Sequence, residues 1–237
     1  MTTLVLLPGL DGTGFLFEPL IEALPKSLTP RVVGFSNDEP LGYEELLPVV
    51  LDALPKSGPF LLVAESFSGP LALRVAHRRP PGLLGVVLSA TFVKNPLPWA
   101  SILPQTLFGA ERLTRLPDAV VFNALLSNYR TPRLEALLVR ARSELTPHAL
   151  QVRLRAASFV DATLELRECP VPLLYLRAER DVVVSRRCGV LIADTRPDAR
   201  FVDLDAPHCL LQTRPVECAA AIAEFAEQSR VMSATAR

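Results

Sequence analysis

The residue best placed to do chemistry is a serine between a strand-like and a helix-like run. The segment reads Phe60-Leu-Leu-Val-Ala-Glu-Ser-Phe-Ser-Gly, so an apolar run leads directly into Ser66. A serine on a tight strand-to-helix turn projects its hydroxyl above the sheet, and small residues two positions before and after it let strand and helix approach. Ala64 and Ser68 hold those positions. The pattern predicts a nucleophile elbow, whereas the simpler alternative is a serine that only caps a helix.

A serine hydroxyl needs a base to take its proton, and the chain has three histidines. His208 follows the last strand-like run, and a loop that leaves the carboxyl end of a parallel strand faces the same crevice as Ser66. His77 ends the helix-like run after Ser66, where helix capping is the expected role. His148 lies in a helical stretch away from the sheet edge. We therefore predict that His208 is the general base.

The base needs an acid that holds its tautomer, and Asp181 follows the penultimate strand-like run at its carboxyl end. Glu179 is the nearest alternative, with a structural salt bridge as its other role. Asp203 and Asp205 belong to the final strand and its exit. We predict Asp181 as the acid, which gives the chain order Ser, Asp, His that this type of triad takes.

A glycine-rich turn follows the first strand-like run, in Leu4-Val-Leu-Leu-Pro-Gly-Leu-Asp-Gly-Thr-Gly. Such turns can cradle phosphates, but the spacing matches neither nucleotide-binding pattern and the turn has no lysine. In a hydrolase, a backbone N–H of this turn binds the oxyanion together with the N–H that follows the nucleophile. The sequence therefore predicts an oxyanion hole formed by the N–H groups of Leu10 and Phe67.

These residues require a sheet, and six short apolar runs predict its strands. They span residues 4–7, 31–35, 60–64, 84–89, 172–176 and 200–204. Continuous apolar runs are typical of parallel strands buried on both faces. Helix-like spacing lies between them at residues 43–54, 70–77 and 217–228. The alternation predicts an α/β fold with a doubly wound, mostly parallel sheet.

The alternation stops between about residues 91 and 163, where patterns at 113–126 and 132–145 predict helices. We expect one domain over residues 1–237 with a helical cap insertion at about 91–163. The apolar, proline-broken segment from Phe92 to Phe108 is either a lid over the crevice or core beneath the cap, with equal weight. Residues 229–237 have little pattern and are predicted to be a frayed tail.

Charge and cysteine content exclude several functions. The 25 basic and 25 acidic residues balance, and arginines such as Arg133, Arg140 and Arg153 are scattered, which indicates a solvated face and no nucleic-acid partner. The four cysteines form no metal-binding pattern, so we expect ordinary thiols, no metal and no cofactor. The apolar N-terminal run is too short for a signal peptide or a membrane span, which predicts a cytoplasmic protein without stable membrane insertion. The oligomeric state is left open.

Over nearly its whole length the chain resembles the α/β-hydrolase superfamily. More narrowly, the Leu-Pro-Gly-Leu-Asp-Gly-Thr-Gly opening, the Glu-Ser-Phe-Ser-Gly elbow and the Asn95-Pro-Leu-Pro segment resemble the esterase/lipase/thioesterase family that includes plant phytyl ester synthases. The elbow of that family is similar to Gly-Asp-Ser-Phe-Gly-Gly, so Ala64, Glu65 and Ser68 are departures. Members also carry a separate acyltransferase region, for which this chain has no room.

The resemblance implies the α/β-hydrolase fold, a triad of Ser66, Asp181 and His208, and a fatty-acyl ester or thioester as the small-molecule substrate. The leading hypothesis is hydrolysis of such a bond through an acyl-enzyme intermediate. Acyl transfer to an alcohol is the first alternative, with the cap excluding water. A non-catalytic sensor of a small ligand on the same fold is the second.

Overall fold

A parallel sheet of six strands forms the centre of the computed structural model, which describes residues 1–96 and 109–235. The strands are β1 (Thr2–Leu7), β2 (Leu28–Val32), β3 (Phe60–Glu65), β4 (Leu83–Ser89), β5 (Leu173–Ala178) and β6 (Arg200–Leu204). Their order across the sheet is β2-β1-β3-β4-β5-β6, and each neighbouring pair is parallel. The chain thus winds from β1 to one edge and then returns past β1 to β3. This topology confirms the predicted doubly wound α/β fold.

Helices cover both faces of the sheet. In chain order they are α1 (Glu18–Ala23), α2 (Tyr43–Ala53), α3 (Gly69–His77), α4 (Ala110–Thr114), α5 (Asp118–Leu126), α6 (Pro132–Glu144), α7 (Pro147–Phe159), α8 (Thr163–Arg167), α9 (Arg186–Thr195), α10 (Leu210–Thr213) and α11 (Pro215–Thr235). Three-residue 3₁₀ turns lie at Phe15–Phe17, Ser66–Ser68 and Ser127–Tyr129.

Two apolar cores explain why the central strands read as continuous apolar runs. Leu62 and Ala64 of β3 pack with α2, α3 and α9 on one face. Leu61 and Val63 pack with α1 and α11 on the other face. Because successive side chains of a strand point to opposite faces, both sets of positions must be apolar. A strand buried in this way holds the residue at its carboxyl end rigidly.

The second strand lies three residues earlier than predicted, at Leu28–Val32 instead of 31–35. The β-branched run after Pro30 favoured the later position. Pro30 is tolerated because β2 is an edge strand, where a missing N–H costs no ladder hydrogen bond. Beyond Val33, the chain leaves the sheet and the Phe35 N–H bonds the Gly12 carbonyl at 2.7 Å. The segment that follows this strand therefore contacts the turn that follows β1.

The predicted frayed tail is wrong for residues 229–235, since α11 continues to Thr235. Ser229 is buried one helical turn beyond Phe225, on the same face of the helix. A small polar side chain there weakened the apolar pattern without ending the burial. Residues 236–237 lie outside the described part of the chain.

The insertion between β4 and β5 is helical over most of its described residues from 110 onward, as predicted. The pattern at 113–126 divides into α4 and α5 because Pro117 disfavours a helical conformation at the residue before it. Phe92 and Val93 are buried in the core on the α2 face. The rest of the predicted lid or core segment, including Trp99, Leu103 and Phe108, falls in residues 97–108, outside the described residues. Within residues 1–96 and 109–235, no helix is both long and apolar enough to cross a membrane.

Candidate active site

The structure places Ser66 at a sharp turn between β3 and α3. Its φ is +49°, in the left-handed region that residues with a Cβ rarely adopt. A conformation of this kind persists only when its surroundings determine it strongly, and it occurs typically at functional sites. The strand, the strained serine and the helix that follows are the arrangement of a nucleophile elbow.

The residues around Ser66 show how the turn is held. Ser68 is fully buried, and its hydroxyl donates to the Pro8 carbonyl at the end of β1. The Thr91 hydroxyl donates to the Ser66 carbonyl, and the same threonine side chain occupies the space that a Cβ on Gly69 would need. Small residues at these positions are therefore a packing requirement of the turn.

Ser66, His208 and Asp181 form one line of hydrogen bonds. His208 Nε2 lies 3.0 Å from Ser66 Oγ, and His208 Nδ1 lies 2.8 Å from Asp181 Oδ2. Asp181 Oδ1 accepts the N–H groups of Val183 and Val184, each at 2.8 Å. An ionised carboxylate can only accept, so Nδ1 carries the ring proton and Nε2 is free to accept from the serine hydroxyl.

The other acids that the sequence offered have other surroundings. Glu179 is exposed, and its N–H extends the pairing between the last two strands through the Leu204 carbonyl. Asp203 pairs with Arg177, and Asp205 pairs with Arg180. The structure thus brings Asp181 to His208 and does not bring the alternatives there.

The other two histidines also lie away from Ser66. His77 is at the exposed end of α3, where its Nδ1 is 3.8 Å from Glu168 Oε2. His148 is exposed in the first turn of α7. Both positions agree with the roles that the sequence suggested for them.

The electrostatic surroundings of His208 favour its protonated form. Burial by itself lowers the pKa of His208, but the charge and hydrogen bond of Asp181 more than offset this, and Glu65 adds to the effect. The net result is a pKa raised above the usual value for histidine. A base in this setting is stabilised as the imidazolium that it becomes when it takes a proton.

The glycine-rich turn after β1 runs beside the nucleophile. Leu7 at the end of β1 is paired with Ala64 of β3, two residues before Ser66. A Cβ built on Gly9 would lie 3.7 Å from the Ser66 Cβ. The predicted oxyanion donors, Leu10 and Phe67, thus belong to the two chain segments that adjoin Ser66, and their N–H groups remain a prediction.

Glu65 is a buried carboxyl beside Ser66 that the sequence analysis recorded only as a family departure. Burial raises the pKa of Glu65 to about 7, against an opposing hydrogen bond from Gln212. Gln212 Nε2 donates to Glu65 at 2.9 Å and to the Leu16 carbonyl at 3.1 Å. A charged residue that interrupts an otherwise apolar strand was the available signal.

Tyr43 and Arg153 also contact the predicted oxyanion segments, and the sequence analysis missed both roles. The Tyr43 ring stacks on the Phe67 ring with centroids 4.6 Å apart, and its hydroxyl donates to the Phe67 carbonyl at 2.8 Å. Arg153 was interpreted as part of a solvated face, but its side chain is fully buried and donates to the Leu10 carbonyl. The solvated interpretation was wrong for Arg153, because only the fold shows what a helix of the cap faces.

All four cysteines are free thiols and buried. In the part of the chain that the structure describes, no group of three or more His, Cys, Asp or Glu side chains is arranged to hold a metal ion.

Comparison with known proteins agrees with this architecture. Residues 4–221 match the model of the alpha/beta hydrolase family. Phytyl ester synthase 1, chloroplastic, of Arabidopsis thaliana is 34% identical over an alignment 118 residues long, which covers 44% of this chain and 17% of that protein. The match therefore spans only about a sixth of its length.

Solved structures show the same fold at low sequence identity. The enol-lactonase from Burkholderia xenovorans LB400 superimposes with a TM-score of 0.78 at 20% identity, covering 94% of this chain and 90% of that one. An esterase from Exiguobacterium antarcticum gives a TM-score of 0.79 at 12% identity, covering 96% and 92% of the two chains.

Proposed function

Because this chain belongs to the alpha/beta hydrolase family, we propose that it is a serine hydrolase that cleaves a carboxylic ester or thioester with an apolar acyl group. The observation that carries the proposal is the line of hydrogen bonds from Asp181 through His208 to Ser66, with distances of 2.8 and 3.0 Å. A strained serine at a strand end, a base with a free acceptor nitrogen and an acid fixed by two N–H groups are the parts that acyl transfer through a serine requires.

In the acylation step, Ser66 Oγ attacks the carbonyl carbon while His208 Nε2 takes the hydroxyl proton. Asp181 stabilises the resulting imidazolium through Nδ1. The N–H groups of Leu10 and Phe67 bind the oxyanion of the tetrahedral intermediate. The intermediate collapses when His208 gives its proton to the leaving alkoxide or thiolate, and the acyl group stays on Ser66 as an ester.

In the deacylation step, water replaces the leaving group. His208 takes a proton from the water as it attacks the acyl carbon, and then returns that proton to Ser66 Oγ. The products are the free acid and the regenerated serine. The cycle consumes one water molecule per ester bond.

An apolar acyl group is supported by the surroundings of the histidine loop. Cys209, next to His208, packs in a core with Phe122 and Leu126 of the cap, and Leu16 and Leu125 lie against it half-buried. The Cys209 N–H also bonds the Leu125 carbonyl at 3.0 Å. Apolar side chains of the cap thus pack against the residue that follows the base, and we take this apolar surrounding as support for a hydrocarbon rather than a charged acyl group.

The second candidate is acyl transfer to an alcohol, and the similarity to phytyl ester synthase 1 favours it. In this reaction an alcohol takes the place of water in deacylation, so an ester forms in place of the free acid. The two candidates share the acyl-enzyme and differ only in the acceptor. Product analysis with and without a long-chain alcohol separates them.

The proposal is tested with p-nitrophenyl esters and acyl-CoA thioesters of graded chain length. We expect steady turnover of at least one series, a preference for longer acyl groups and loss of turnover in Ser66→Ala. A folded wild-type protein that turns over neither series would contradict the proposal and favour a sensor.

A further inference from the structure

Arg153 on α7 is the largest of the fully buried side chains in the described part of the chain. Its guanidinium reaches from the cap to the turn after β1. Nη1 donates to the Leu10 carbonyl at 2.8 Å and to Asn37 Oδ1 at 2.8 Å, and Nη2 donates to the Ser36 carbonyl at 2.7 Å. All three acceptors are neutral oxygens.

Burial of the charged Arg153 guanidinium among neutral acceptors is unfavourable in free energy, which indicates a role beyond packing. Burial lowers the pKa of Arg153 to about 10, which leaves the side chain charged at neutral pH. Removing a charge from water is unfavourable unless hydrogen bonds compensate, and an apolar side chain of similar volume often fills such a space at no loss of stability. Filling space beneath the cap therefore does not require an arginine.

The turn is shaped to receive this guanidinium. Gly12 has a φ of +73°, and a Cβ there would lie 2.6 Å from Arg153 Nη1. Only glycine therefore leaves room for the guanidinium at this position. Within the turn, the Thr13 N–H donates to Asp11 Oδ2 at 3.0 Å and the Gly12 N–H donates to the Gly9 carbonyl at 3.1 Å. The glycine at position 12 adds no side-chain restraint of its own to the left-handed backbone.

Groups outside the turn add to these bonds by holding three successive carbonyls of the turn. Arg153 holds the Leu10 carbonyl, Asn37 Nδ2 holds the Asp11 carbonyl at 3.0 Å, and the Phe35 N–H holds the Gly12 carbonyl at 2.7 Å. Asn37 is itself held by Arg153 through its side chain. At the start of α7, the Thr146 hydroxyl donates to the Asn37 carbonyl at 2.7 Å.

We propose that Arg153 is a positioning residue that fixes the turn carrying the Leu10 N–H, so that the cap and the oxyanion hole form one unit. The inference rests on the proposed serine-hydrolase function and adds the part of it that aims the oxyanion donor. Arg153 fixes the peptide unit that follows the Leu10 Cα through its carbonyl, and the unit that precedes it, which carries the Leu10 N–H, is held at the Gly9 carbonyl by the Gly12 N–H. Without Arg153, the flanking Gly9 and Gly12 let the N–H turn away from the oxyanion.

The test compares Arg153→Met with Arg155→Met, which makes the same change two residues further along α7 at an exposed position. We expect Arg153→Met to lower kcat for an oxygen ester about 10- to 100-fold with little change in KM, because one misaimed donor acts only on the oxyanion. Arg155→Met should keep the kcat and KM of the wild type.

The discriminating readout is the rate ratio between an ester and the matching thionoester, whose C=S sulfur is a weak hydrogen-bond acceptor. A working oxyanion hole favours the oxygen ester, so the ratio should fall in Arg153→Met and stay low in Arg153→Lys, whose single ammonium group cannot span the three acceptors. Equal losses for both substrates, with the ratio unchanged, would overturn the inference.

A readout independent of turnover is amide hydrogen exchange of residues 8–14. We expect exchange there to be at least about tenfold faster in Arg153→Met than in Arg155→Met. If Arg153→Met does not fold, Asn37→Ala should give the same changes to a smaller extent. A wild type that turns over neither esters nor thioesters refutes the proposed function, whereas unchanged exchange in a folded variant refutes the role of Arg153.

Discussion

The residues proposed to carry out catalysis were recognisable in the sequence because each follows an apolar strand. Ser66, Asp181 and His208 lie after the third, fifth and sixth strands, and the structure brings their reacting atoms together. Tyr43 and Arg153 were not recognisable as parts of the site, because their contacts join residues 24 and 143 positions apart in the chain. Local pattern carries no information on which distant backbone group a buried hydroxyl or guanidinium meets.

The choice between two acids is tested by Asp181→Asn and Glu179→Gln. Asp181→Asn should lower kcat/KM by about 10⁴-fold, because an amide at this position favours the wrong histidine tautomer. Glu179→Gln should change kcat/KM less than threefold, since its side chain is exposed and the ring of His208 is bonded by Asp181 instead. Steady-state kinetics of both purified variants provide the measurement. A severe loss in Glu179→Gln with a mild one in Asp181→Asn would reverse the assignment.

Glu65 should affect the pH profile of activity. Because the pKa of Glu65 is about 7, its side chain gains its negative charge as pH rises through neutrality, and that charge raises the pKa of His208. Glu65→Gln removes this charge and should lower the pKa of His208. The neutral form of His208 is the active base, and the acidic limb of the kcat/KM profile should therefore move to lower pH. Glu179→Gln serves as the control, with an unchanged profile. An acidic limb that stays in place or moves to higher pH in Glu65→Gln would contradict this role.

Glu65 should also affect stability in a defined pH window. The pKa of Glu65 is about 7 in the folded protein against 4.5 for the ordinary group. As pH rises through this window, the unfolded chain has already lost the proton that the folded chain retains, so the unfolding free energy falls. The free energy of unfolding of Glu65→Gln, relative to that of the wild type, should therefore be higher at pH 8 than at pH 5. Urea unfolding at both pH values measures the difference, and a difference of the opposite sign would contradict the burial argument.

At the scale of elements, the spacing and length of the apolar runs were enough to predict the central strands. They were not enough to predict the bounds of the edge strand β2 and of the last helix, α11. The edge strand β2 was predicted three residues too late, because Pro30 within it was interpreted as the residue before the strand. Helix α11 was predicted too short because Ser229 is polar yet buried. In both cases tertiary packing, and not the local sequence pattern, determined where the element begins or ends.

The apolar segment that contains Trp99 and Leu103 is tested by replacing either residue with alanine. If the segment roofs the crevice, the variants should change chain-length preference at nearly constant stability. In a wild type with such a roof, each methylene of the acyl chain that it buries should contribute about 0.8 kcal/mol to substrate binding. If it is core, the variants should lose about 2–5 kcal/mol of stability and keep the preference. Acyl-length profiles and thermal unfolding distinguish the two, and a flat profile in the wild type would count against a roof.

At the scale of the whole molecule, the site forms where the sheet reverses its winding order. The turn after β1 and the elbow after β3 leave neighbouring strands at their carboxyl ends, which is where open α/β sheets bind ligands. The cap reaches this edge through buried Arg153 and through exposed pairs such as Arg133 with Glu22 and Arg140 with Glu18. Exposed pairs contribute little stability, so the buried contacts carry the attachment.

The central claim, that Ser66 forms an acyl-enzyme, is tested most directly by fluorophosphonate labelling followed by peptide mapping. The account predicts one adduct on Ser66 in the wild type, none in Ser66→Ala, and ester turnover that falls by about 10⁴-fold or more in that variant at unchanged thermal stability. Ser68→Ala is the matched control and should still be labelled at Ser66. An adduct on another residue, or turnover kept in Ser66→Ala and lost in Ser68→Ala, would contradict the account.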